Sequence, residues 1–256
     1  MNPVVTLAPG HRLLGLFIRE RLGSLNRLPD LGVASAHRAT EKIFSNVDAR
    51  EFAVHDRNRS PPSKKLLQMV TVKTLPDFIE EPLQILSVGI NPSLHAVRAG
   101  YPFAFESNRF WPALNASRLI DKELTPGVHA MRILARRYGM GFTDIVKRPT
   151  RGIKDLRSAD FARWAPTLLT KIDRFNPAIL WFHGKTAARE FLKRAVQCNT
   201  VPLWGLQPFR ICRAACFVSP NPSPANAAFS LEYIIGSYND LADLRDETAA
   251  SSGLPQ

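Results

Sequence analysis

A chain of 256 residues with 45% apolar side chains can bury a full core as one α/β domain, or as one domain with an appendage. Lys and Arg number 34 against 22 Asp and Glu, a formal charge of +12 that favours a polyanionic partner over a neutral one. No apolar run approaches the ~20 residues that span a bilayer. Three cysteines are too few for a disulfide framework or for the four thiolates of an iron–sulfur cluster, so a metal-free, intracellular protein is expected.

Residues 1–80 are expected to be a partly helical extension whose role the sequence leaves unknown. Leu13, Leu14, Phe17, Ile18 and Leu22 have amphipathic spacing, and a second helix is expected within Ala34–Phe52. His55–Lys65 is polar, basic and Pro-containing, which is a linker signature. The segment before His11 has no basic head followed by a long apolar block, so no secretory signal is expected.

From Leu83 the pattern becomes strand, loop, helix, repeated. Ile85–Ile90 is a short uncharged run stopped by Asn91-Pro92, a buried strand ending at a loop. That loop carries Gly100, Pro102, Phe103 and Phe105. A helix then starts at Ser107-Asn108, with Phe110, Trp111 and Leu114 at helical spacing. Phe142–Val146 is a brief extended piece. Asp160–Phe175 reads as a helix in which Pro166 imposes a kink or a late start. Ala178–Phe182 is a second buried strand running into His183-Gly184-Lys185. Ile211–Val218 is read as one further strand, with Cys216 in its core, ending at Ser219-Pro220-Asn221-Pro222-Ser223. A last helix spans about Phe229–Leu244, and a disordered tail is expected after Asp246. Alternating strands and helices imply a three-layer α/β/α fold around a central, mostly parallel sheet of four to five strands.

Two loops follow apolar strands and carry Asn-Pro-Ser: Asn91-Pro92-Ser93 and Asn221-Pro222-Ser223. In a parallel sheet both lie at the carboxyl-terminal edge and face one cleft. Each Asn alone is equally what an ordinary turn carries. Asn108 reads as a helix cap, and Phe105, Phe110 and Trp111 as core. His95 is either a DNA donor or a solvated loop residue, and His183 is read as core support.

The stretch GINPSLHAVRAGYPFAFESNRFW, from Gly89 to Trp111, resembles the first motif of the mismatch-specific uracil and thymine DNA glycosylases, a branch of the uracil-DNA glycosylase superfamily. VSPNPSPANAAFSLEYIIGSYNDLADL, from Val218, is similar to that family's second motif, and DIVKRPT and WFHGKTA fall between them in the family's order. The resemblance covers about residues 83–245. It implies a glycosylase domain over 81–246 that flips uracil out of DNA and hydrolyses its N-glycosidic bond, leaving an abasic site, without metal or organic cofactor.

Residue by residue, the resemblance implies that Asn91 places the attacking water and that Asn221 donates to the developing base anion. Phe103 would stack on the base, the main chain at Ile90 and Phe103 would read its edge, and Ala96 would border the 5-position. Ser93, Ser223, Pro224, Ala225, Asn226, Lys147 and Arg148 are the expected DNA contacts; Arg151 and Lys185 are further phosphate candidates. Three departures stand out: Ser93 replaces a Gly, the Asn91 loop lacks a carboxylate, and the second loop has no large wedge side chain. A weak wedge makes single-stranded DNA a plausible substrate beside the duplex. A catalytically weak module binding DNA lesions or abasic sites is the competing reading. The expected partner is DNA containing uracil or an abasic site, for a monomer in the nucleoid-associated cytoplasm of a bacterium or the nucleus of a eukaryote.

Overall fold

The computed structural model of the chain describes residues 5–7 and 73–252. The helices and linker expected between His11 and Lys65 lie outside the described residues. The strands are β1 (Val5–Leu7), β2 (Ile85–Gly89), β3 (Met140–Asp144), β4 (Ile179–His183), β5 (Gly205–Ile211) and β6 (Ala214–Ser219). The helices are α1 (Leu94–Ala99), α2 (Phe110–Asn115), α3 (Val128–Tyr138), α4 (Ser158–Phe175), α5 (Lys185–Phe191) and α6 (Leu231–Ser252); a π turn, Leu192–Val196, continues α5.

One six-stranded sheet has the order β1-β5-β6-β4-β2-β3. Strands β6, β4, β2 and β3 are parallel, as the alternation of strands and helices requires, while β5 runs antiparallel to β6 and parallel to β1. The sheet exceeds the expected four to five strands for two reasons. Residues 5–7, read as part of the extension, add an edge strand. The single strand expected over Ile211–Val218 is instead a hairpin that turns at Cys212 and Arg213. Cys212 takes φ 54°, a left-handed turn made without the Gly or Asn that normally signals one.

Alternate residues of the strands feed two cores. Leu86, Val88, Leu180, Phe182, Cys216 and Val218 pack against α4, α5 and the π turn. Ile85, Met140, Ile179, Trp181, Ala215 and Phe217 pack against α2, α3 and α6. This makes three layers, α/β/α. Helix α4 runs unbroken through Pro166, whose missing N–H falls on the outer side of a helix that buries Phe161, Ala165, Leu168 and Ile172. Helix α6 continues to Ser252, past the point where a disordered tail was expected; Tyr238, Leu241 and Ala242 anchor it in the core. Among the described residues, no helix is long and apolar enough to cross a membrane.

Candidate active site

The carboxyl ends of β2, β3, β4 and β6 are Gly89, Asp144, His183 and Ser219, and register sets Gly89 beside Asp144 and His183 beside Ser219. A cavity of about 450 Å³ opens at this edge, within the size range of small-ligand pockets. Asn91, Asn221, Ile90, Phe103 and Ala96 all line it, as do Ser93, Ser223, Ala225 and Asn226. The two Asn-Pro-Ser loops therefore share one pocket.

The two amides are held in opposite senses. Asn91 Nδ2 donates to Thr150 Oγ1 at 2.7 Å, to the Arg148 carbonyl at 3.1 Å and to the Pro92 carbonyl at 3.2 Å. Carbonyls only accept, so these contacts fix which end of the amide is nitrogen and leave Oδ1 as its uncommitted acceptor. Thr150 in turn donates to the Gly152 carbonyl, and the segments zip together through Leu94 N–H to Thr150 O and Thr150 N–H to Pro92 O. In Asn221 it is Oδ1 that is occupied, accepting from Ser223 N–H at 2.9 Å, which leaves Nδ2 as a donor. One asparagine thus offers an acceptor to the pocket's surroundings and the other a donor.

Phe103 adopts φ 57°, a left-handed conformation that costs a bulky residue on the order of 1–3 kcal/mol. Its ring stacks on Phe110, with centroids 4.0 Å apart and planes 12° apart, and meets His183 edge-on at 5.0 Å. One ring face is therefore backed by the core while Phe103 borders the cavity. His95 braces the same loop through Nε2 to the Ala104 carbonyl at 3.2 Å. Arg109 holds the N-cap position of α2, and Asn108, one residue before it, has Oδ1 accepting from Phe110 N–H; Phe110 and Trp111 are core as expected. Phe105, expected in the core, is 54% exposed and forms part of the pocket's lining.

Several expected DNA contacts are otherwise engaged. Ser93 is the N-cap of α1, its Oγ accepting from Ala96 N–H, and its φ of −74° is ordinary, so nothing there requires the Gly it replaces. Lys147 and Lys171 both pair with Asp77, whose carboxyl burial would push up but whose lysines hold below its usual range. Arg148 pairs with Asp160 at 2.7 Å and also donates to the Asp155 carbonyl. These side chains hold the structure together around Asp77 and Asp160. Among the described lining residues the cation is Arg151, which is exposed. The main-chain carbonyl of Ile90 is likewise committed, to Val146 N–H at 2.9 Å.

Arg109 fixes the second loop. Its backbone N–H donates to Pro222 O, and its guanidinium to the carbonyls of Ser223 at 3.0 Å, Asn226 at 2.6 Å and Phe229. Pro224 and Ala225 are left at the exposed tip, with no bulky side chain. Arg109→Ala is expected to lower stability by about 2 kcal/mol, the cost of losing charged hydrogen bonds to part-buried carbonyls, read as a shift of the urea midpoint at unchanged slope.

Two pocket groups escaped the sequence reading of site chemistry. His183 is 2% exposed, Nε2 lies 2.7 Å from Ser87 Oγ, and Nδ1 is buried without a hydrogen-bond partner among the described residues. Burial pushes its pKa down to about 3, so it is neutral near pH 7. Its ring NMR signals should accordingly hold constant between about pH 5 and 8; a titration near its ordinary value would contradict this. Asp144 is the other, and the only acid among the described lining residues. A Cβ on Gly89 would lie 2.4 Å from Asp144 Oδ1, so a larger residue there would force the carboxyl to turn away from its present position. Burial raises its pKa to about 6, with Asp77 adding to the rise and Lys147 and Lys171 opposing it. The strand-end position of both residues was the available signal. Among the described residues no group of three or more His, Cys, Asp or Glu is placed to hold a metal ion.

The family model for the uracil DNA glycosylase superfamily matches residues 76–242. Among solved structures, a Methanosarcina acetivorans protein studied by solution NMR and described as a candidate uracil DNA glycosylase is similar at 18% identity, covering 71% of this chain and 98% of that one, with a TM-score of 0.42.

Proposed function

The chain belongs to the uracil DNA glycosylase superfamily, whose members act on DNA, and on that premise we propose that it is a monofunctional glycosylase of the mismatch-specific branch that hydrolyses the bond between uracil and deoxyribose. The observation that carries this is the opposed hold on the two asparagine amides that line one cavity. As the N-glycosidic bond breaks, its electron pair passes to the base and the sugar becomes oxocarbenium-like. Asn221 Nδ2 supplies a hydrogen bond to the anionic base. Asn91 Oδ1 accepts from a water whose oxygen adds to the sugar's anomeric carbon. The water's proton leaves to the departed base or to solvent, since neither amide is a base. An abasic site remains, the substrate for the later steps of base excision repair.

Hydrolysis without strand cleavage is supported by the lining, which contains no lysine among the described residues to form a Schiff base. Phe103, backed by Phe110, is suited to stack on the flipped ring. The Asn91 loop itself carries no carboxylate, which makes departure of a good leaving group decisive and favours uracil over the ordinary bases. The test is single-turnover incubation with uracil-containing duplex and single-stranded oligonucleotides, followed by alkaline cleavage of abasic sites. Uracil release is expected; tight binding with no release would instead assign the chain to lesion binding without catalysis.

A further inference from the structure

A strip of aromatic side chains lies beside the pocket and has no part in the chemistry above. Trp204 meets Phe229 edge-on with ring centroids 5.1 Å apart, and Phe229 meets Tyr233 at 5.1 Å. Trp204 is 37% and Tyr233 50% exposed, and Leu203 and Leu206 beside Trp204 are exposed too. Lys185 places its ammonium 4.7 Å from the centre of the indole.

The strip's position follows from the fold. Gly205 pairs with Val218, so Trp204 sits at the end of β6 from which the Asn221 loop departs. Lys185 begins α5 directly after His183-Gly184, and a Cβ on Gly184 would touch Asn221 Cβ at 3.4 Å. Phe229 is tied by its carbonyl to Arg109, the residue that fixes the second loop. The rings therefore lie outside the pocket's lining, next to the loop that brings Asn221 to it.

We propose that Trp204, Phe229, Tyr233 and Lys185 form a stacking surface for unpaired nucleotides of a DNA strand entering the pocket; the proposal rests on the reading that the pocket takes DNA. Exposed aromatic faces accept any base, and an ammonium beside them meets the phosphate, the pairing of contacts by which single strands are held. Bases within a duplex have both faces covered by their neighbours and gain nothing here. The net charge of +12 and the ammonium on the indole favour this occupant over a second copy of an equally basic chain. The second loop agrees, because its small residues give a duplex no plug for the gap left by a flipped nucleotide.

The test measures fluorescence anisotropy with a short uracil-free oligothymidylate, alone and annealed to oligodeoxyadenylate. Trp204→Ala with Tyr233→Ala should weaken single-strand binding about tenfold or more and duplex binding less than about twofold. Trp204→Phe with Tyr233→Phe, which keeps a stacking ring at each position, should retain most of the single-strand affinity. Equal losses on both ligands, no loss, or a Phe pair as weak as the Ala pair would overturn the proposal. So would loss, in the Ala pair, of a concentration-dependent self-association at unchanged single-strand affinity, which would give the surface to a second copy. Because these probes carry no uracil, a chain that shows the single-strand pattern yet releases no uracil refutes the proposed activity and leaves the surface standing.

Discussion

Asn91→Ala is expected to slow single-turnover uracil release by about a hundredfold to a thousandfold, the range for losing one preorganised hydrogen-bonding group. Affinity for the substrate should change little by comparison, because Oδ1 is needed when water attacks and less when the base is seated. The substitution also removes three hydrogen bonds, to Thr150, Arg148 and Pro92, that hold the loop. Thr150→Val separates the two effects: it deletes the shortest of these contacts and keeps the amide. A loss of rate in Thr150→Val as large as in Asn91→Ala would mean that loop order, and not Oδ1, limits the reaction. A loss below about tenfold in Thr150→Val, with the full loss in Asn91→Ala, identifies the acceptor as the working group.

What the sequence disclosed followed from locality. Asn91 and Asn221 sit in short turns directly after apolar strands, so their shared edge follows once the strands are parallel; Phe103 reaches the same edge only after α1 has turned the chain back. The opposed hold on the two amides was not legible, because the partners that set it for Asn91 come from Arg148 and Thr150, 57 and 59 residues away. Lys147 and Arg148 were expected to meet phosphate because charge alone names no partner; Asp77, which takes Lys147, lies 70 residues distant in the chain. Asp144 was hidden for the opposite reason. Flanked by Thr143 and Ile145 it reads as an outward polar position of a strand, and only register with Gly89 brings its carboxyl into the pocket wall. The β5–β6 hairpin was missed because a cysteine makes its left-handed turn.

Asp144→Asn should stabilise the protein above pH 6 by up to about 3 kcal/mol, and by little below about pH 4. The sign follows from the raised pKa. In the folded chain the carboxyl titrates near pH 6, against 3.8 for the ordinary group, so between those values the folded state binds more protons than the unfolded one. Stability therefore falls as pH rises through this window, and the full cost persists above it, where a partly buried carboxylate faces Asp77 as well as Lys147 and Lys171. Asparagine keeps the shape and removes the titration, so the difference between variant and parent isolates this one group from Asp77 and Asp160, whose lowered values act in the opposite sense at more acid pH. Urea unfolding at pH 4 and pH 8 measures it, and a difference that does not grow with pH would refute the assignment. The same proton bears on the substrate. A neutral carboxyl donates and accepts, as the N–H and carbonyl edge of uracil requires, whereas a carboxylate only accepts and repels a base carbonyl. Uracil affinity in the parent should decline above pH 6 and in Asp144→Asn should not; an identical pH profile for the two would mean that Asp144 borders the pocket without reading the base.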